Sequence, residues 1–162
     1  MSRGGMARFV DRWLRVPQAV RWSVPIAGMC ALWWSSSRTT SDGLPRLGGP
    51  LAHNAMHVVA YACLAGSAWL AWSRRPADRP QRLRSVGAWG LAAGYGVVDE
   101  LHQSFVPGRD CSWFDLVSDA SGAALAVVLL RGAVGVSNRW RRSALLATCA
   151  ATSGVLAATY LG

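Results

Sequence analysis

Five apolar stretches alternate along the chain with polar, arginine-bearing segments. Residues 23–36, 53–73, 85–104, 114–130 and 143–161 are apolar, and residues 37–52, 74–84, 105–113 and 131–142 separate them. A membrane-spanning helix needs ~20 such residues, and four of the stretches come close to that length. The first is short. Pro17, Pro25 and Arg21 blur its start, so its helix is expected to begin near Pro17, with Arg21 snorkelling to the interface. No small-x-small cleavage site precedes the polar run SSSRTTSD, which points to a retained first span and not a signal peptide. Ahead of it, Met6, Phe9, Val10, Trp13 and Leu14 recur at helical spacing, with Arg8, Asp11, Arg12 and Arg15 between them. That pattern predicts a short helix lying on an anionic membrane surface. Pro107 and Gly108 in VPGRD predict a turn. The expected fold is all-α: a polytopic transmembrane helix bundle of about five spans. Residues 1–22 form a basic amphipathic segment, 23–131 a four-helix membrane domain, and 132–162 a basic loop with a fifth transmembrane helix.

Charge orients this bundle. All seventeen basic residues are Arg, and the net charge is +9. Fourteen of them fall in the N-terminal segment and in 74–84 and 131–142, against three (Arg38, Arg46, Arg109) in the alternate loops. The positive-inside rule then places the N-terminus, 74–84 and 131–142 in the cytoplasm, and 37–52, 105–113 and the C-terminus outside. Trp22, Trp69, Trp72, Trp89 and Trp140 fall near inner interfaces and Trp33, Trp34 and Trp113 near outer ones, as an aromatic belt requires. Arginines so distributed argue for membrane topology. With no nucleic-acid motif present, nucleic-acid binding is not expected. No two cysteines have C-x-x-C spacing, so neither a zinc knuckle nor a redox motif is indicated. Cys30, Cys63 and Cys149 read as small buried hydrophobes, and Cys111 as an incidental loop thiol.

Five of the eight acidic residues lie between Asp99 and Asp119. A charge at membrane depth costs roughly 2.5–3.5 kcal/mol on insertion scales, so these positions mark the candidate site. Four-residue spacing puts His57 and Tyr61 on one helix face, about 6 and 12 Å below the outer boundary. Tyr95, Asp99, His102 and Gln103 share a face of the next helix. Asp115 and Asp119 follow at the start of the fourth. His57, Tyr61, Asp99, Glu100, His102, Gln103, Asp115 and Asp119 therefore meet in the outer third of the membrane, supplied by three helices, with Arg109 as the nearest outward cation.

Each has a bland reading. Asp115 completes a capping box with Ser112. Asp119 and His57 form an interhelical hydrogen bond. Arg109 pairs with Asp99 or Glu100 across the turn. His53 and His102 are simply solvated near the interface. Gly122, Ser118 and Ser121, and Gly90, Gly94 and Gly96 with Ala92 and Ala93, allow close helix contact. Adjacent acids such as Asp99 and Glu100 point to different faces, so at least one meets a partner, water or a ligand.

The block DELHQSFVPGR (99–109), followed by Asp115, Asp119 and Gly122, resembles the VanZ-like family of bacterial membrane proteins. The earlier block HNAMHVVAYACLAG (53–66) fits at His57, Tyr61, Leu64 and Gly66. It departs at His53–Asn54, where the family carries Asp-Lys, and at Val58 in place of Phe. The resemblance covers roughly 23–131. It implies an integral protein of the cell envelope and a link to resistance against teicoplanin-type lipoglycopeptides.

Two functions follow. In the first, an outward-facing polar pocket binds a lipid, a cell-wall precursor or a lipoglycopeptide. In the second, a membrane-embedded enzyme acts on a lipid-linked substrate, its Asp, Glu and His residues sharing acid and base roles. Without E-x-x-H on one helix, no metal or other cofactor is expected. The lipid bilayer is the expected partner, and nothing in the sequence sets an oligomeric state.

Overall fold

The structure is a computed structural model that describes residues 3–38, 49–73, 81–109, 111–133 and 140–160. Every regular element among them is an α-helix: α1 (Arg3–Trp13), α2 (Gln18–Ser36), α3 (Gly49–Ala71), α4 (Gln81–Gln103), α5 (Trp113–Ala133) and α6 (Trp140–Tyr160). The central parts of the expected loops, Arg46 and the Trp140 side chain lie outside the described residues. Pro17 precedes α2 with φ −53° and ψ 140°, an extended geometry that starts the helix where expected. The VPGR turn is also found. The Arg109 N–H donates to the Val106 carbonyl at 3.1 Å, and Gly108 has φ 78°. This is a type II turn, which demands a glycine at its third position.

α3 is the hub and packs on α2, α4, α5 and α6. Its buried stripe of Tyr61, Leu64, Ala65, Ala68 and Trp69 meets Ala88 and Ala92 of α4 and Ala123 and Val127 of α5. The core is therefore built mainly of small residues, and the helices approach closely. The large apolar side chains point outward: Met56, Val59, Val97, Leu101, Val117 and Leu129 are all exposed. The fully buried set instead includes Asp119 and Ser118, and Asp99, Glu100, Gln103 and Asn54 are nearly so. Exposed apolar surface costs about 25 cal/mol per Å² in water, so this inversion suits an apolar solvent.

By length and composition alone, α5, with mean hydropathy 1.5, is the one helix among the described residues apolar enough to cross a membrane. The others are interrupted: α3 by His53, Asn54 and His57, and α4 by Arg82 and Arg84 at one end and Asp99, Glu100 and His102 at the other.

Three details differ from expectation. Trp69 is not at an interface; it is fully buried, with the Arg84 guanidinium 3.6 Å from its ring centroid. All four cysteines are exposed: Cys30, Cys63 and Cys149 lie on helix faces that look outward and not into the alanine-lined core, and Cys111 lies in the loop before α5. Arg21 is buried, and its guanidinium donates to the Leu70 and Ser73 carbonyls. It closes the C-terminal end of α3 instead of reaching outward. Trp13 docks α1 on the same end through Nε1 to the Leu70 carbonyl at 3.1 Å. α6 is joined by Asn54, whose amide donates to Thr159 at 3.0 Å. That is the use made here of a position where the resemblance predicts a charge.

Glycines divide sharply. A Cβ on Gly122 would overlap the Val58 backbone, so α5 crosses α3 in direct main-chain contact. A Cβ on Gly96 would press on Asp119 and Tyr61. Gly90 and Gly94, expected to do the same, face open space, since their positions fall on the outer side of α4. Gly122→Ala is accordingly expected to cost roughly 1–3 kcal/mol through overpacking. Gly94→Ala should be neutral or slightly stabilising. Thermal unfolding of the two variants in the same detergent checks the contrast.

Candidate functional site

Asp99 and Glu100, adjacent in sequence, serve different helices. Asp99 is buried and turned toward α2 and α3. Its Oδ1 accepts from Ser36 Oγ at 2.6 Å, and its Oδ2 accepts from Gln103 Nε2 at 3.1 Å and Tyr61 OH at 3.4 Å. Glu100 is turned toward α5, where its Oε2 accepts the Ser112 N–H at 2.9 Å. In a capping box that N–H goes to the side chain three residues into the helix. Here Glu100 takes the place expected of Asp115, because the Pro107–Gly108 turn brings α4 back over the start of α5. Asp115 is half-buried nearby.

One helical turn deeper, His57 Nδ1 lies 3.1 Å from Asp119 Oδ1, the interhelical contact that the sequence allowed. His57 continues upward to His53 (ring centroids 4.9 Å apart, edge to face) and downward to Tyr61 (6.3 Å, stacked). A ring nitrogen of His57 and one oxygen each from Glu100 and Asp119 all lie within 4.8 Å of one another.

The site thus gathers His57, Tyr61, Asp99, Glu100, Gln103 and Asp119. His102 is drawn aside. It stacks on Trp33 with centroids 3.8 Å apart and meets Ser37 Oγ at 2.8 Å. Arg109 faces the cavity but pairs with no carboxylate among the described residues. Its Nε and Nη2 donate to the Arg38 and Ser35 carbonyls at 3.3 and 3.1 Å, closing the C-terminal end of α2. The expected Asp–Arg or Glu–Arg pair is therefore replaced by a helix cap, since the last carbonyls of α2 lie within its reach.

α2 is the fourth wall, which the sequence reading missed. α2 runs to Ser36, the expected end of the first apolar stretch, and Ser36 brings its hydroxyl to Asp99. Tyr95 adds another tie to α2, donating from its OH to the Met29 carbonyl at 2.6 Å.

Between α2, α3 and α4 lies a cavity of about 180 Å³, lined by Ser35, Ser36, His53, His57, Asp99 and Arg109 among others. Leu32 and Ala60 line it as well, and they also line a larger apolar groove of about 350 Å³ between α2 and α3. Cys111, in the loop above, is raised from its ordinary pKa by desolvation, with the Glu100 carboxylate adding to the effect. It is mostly a thiol at neutral pH.

An all-helical bundle with a small-residue core, a buried polar cluster and exposed apolar side chains is the class these features define. The family model for VanZ/LLP1 matches residues 11–153, and the chain belongs to that family. The match reaches into α1 and through most of α6, beyond the 23–131 marked by the motifs. No curated protein and no solved structure matches the chain.

Ser36→Ala would leave Asp99 Oδ1 without its short donor, an expected cost of about 1–3 kcal/mol. Tyr61→Phe removes a longer, weaker bond and should cost about 0.6 kcal/mol. Unfolding midpoints of the two variants in detergent measure this order.

Proposed function

We propose that this chain is a multi-pass envelope protein that holds an amphiphile in the α2–α3 crevice, polar head in the cavity and apolar chain in the groove. The observation that carries the reading is that the cavity and the groove are adjacent and share two lining residues, Leu32 and Ala60. The arginine asymmetry, the outward-facing apolar side chains and the family membership support five spans with a cytoplasmic N-terminus. In that orientation the cavity opens to the extracytoplasmic leaflet, at headgroup depth.

Size narrows the ligand. Liquid water takes about 30 Å³ per molecule, so a cavity of about 180 Å³ has room for a small polar head and not for a glycopeptide macrocycle. A lipid, or the lipid end of a cell-wall precursor, fits. A teicoplanin-type lipoglycopeptide would engage through its acyl chain alone. His53, His57 and Asp99 offer hydrogen bonds to hydroxyl or amine groups, while an anionic head needs a cation between itself and Asp99.

Native mass spectrometry of the detergent-released chain tests this. Wild type should retain lipid. Ala60→Trp, which fills the junction, should lose most of it, and Gly94→Ala should keep it. Absence of lipid on wild type, or equal retention by Ala60→Trp, refutes the reading. A variant with Cys111 as its single cysteine should react with an impermeant maleimide on intact spheroplasts. Reaction only after lysis reverses the orientation.

A further inference from the structure

We propose that His57, Glu100 and Asp119 form a binding site for one divalent metal ion. The three donors come from α3, α4 and α5, and their ligand atoms lie within 4.8 Å of one another. An ion with bonds of ~2.2 Å holds opposite donors ~4.4 Å apart, so small side-chain rotations close the set.

Two independent features point to a ligand. Glu100 spends Oε2 on the Ser112 N–H, and its Oε1 is buried with no hydrogen-bond partner. Asp119 spends Oδ1 on His57, and its Oδ2 is likewise buried and unpartnered. These residues are 4% and 0% exposed, so water does not satisfy the spare oxygens from the surface. Each carboxylate thus keeps one buried oxygen without a partner.

Charge runs the same way. Asp99, Glu100 and Asp119 are all buried, while Arg109 is committed to backbone carbonyls. Among the described residues the His57–Asp119 contact is the one ion pair. A dication bound to one imidazole and two carboxylates neutralises what Arg109 does not. The sequence hid this set because each helix gives a single ligand, and no pair shares the i, i+3 or i, i+4 spacing that marks a metal helix.

The donor set of one nitrogen and two hard oxygens suits Mn²⁺ as well as Zn²⁺. Mn²⁺ is the better probe, since it avoids the four exposed thiols. His57 also lines the cavity, so the set adjoins the space assigned above to a polar head. The metal site does not depend on that assignment.

Mn²⁺ titration of the full chain in detergent, read by electron paramagnetic resonance, should show one bound ion. The bound ion should carry a nitrogen modulation in the electron spin echo, from His57. Glu100→Gln and Asp119→Asn should weaken binding by more than about tenfold, the loss that even an outer-shell change brings. His57→Gln should abolish the nitrogen modulation. His102→Ala, whose ring is held by Trp33 and Ser37 away from the set, should bind as wild type. Failure of wild type to bind one ion per chain overturns the proposal. So does a bound ion without nitrogen modulation, or one retained unchanged in folded Asp119→Asn.

Discussion

A carboxylate taken out of water must be supplied with donors, and Asp99 takes its donors from three helices at once. Ser36 reaches it from α2, Tyr61 from α3 and Gln103 from its own α4. Leaving one such oxygen unpaired costs about as much as a typical interhelical hydrogen bond contributes, or more. Apolar packing cannot fix the same register, because the core is mostly alanine and slides easily. Asp99 therefore sets how far α2 stands from α3 and α4. That spacing opens the cavity and leaves Leu32 and Ala60 as its floor.

The family block at 99–109 acquires a physical meaning residue by residue. Asp99 ties α4 to α2 and α3, Glu100 caps α5, and His102 stacks on α2. Gln103 completes the donors of Asp99. Pro107 and Gly108 make the reversal that lets Glu100 reach Ser112, and Arg109 closes α2. Asp99, Glu100, His102 and Arg109 reach from the block to other helices. The close approach at Gly122 then brings α5 against α3, which places Asp119 beside His57.

Much of this could be read from the chain. The five long helices lie where hydropathy put them, within a few residues at each end. The faces carrying His57 with Tyr61, and Asp99 with Gln103, follow from helical spacing. What escaped was governed by contacts between distant residues. Ser36 was not among the candidate residues because a serine run carries no sign that one hydroxyl is taken by Asp99, 63 residues away. The cap at Ser112 was assigned to a neighbour because local patterns cannot show a carboxylate returning from another helix. Gly90 and Gly94 resemble Gly96 in sequence and differ only in which side of α4 meets a neighbour.

Arg21 and Arg109 perform matching tasks at opposite ends of the bundle, each covering the last carbonyls of a neighbouring helix. One comes from each side of the charge count, so the topological asymmetry survives their removal from it. Their work is geometric as well as electrostatic. Arg109 reaches two carbonyls through two separate nitrogens of one rigid plane, which a lysine ammonium cannot reproduce. The chain contains no lysine at all, and for most of its arginines exchange would change little beyond codon usage. At Arg109 a drift to lysine would leave a helix end partly uncovered, so the fold itself selects the guanidinium there.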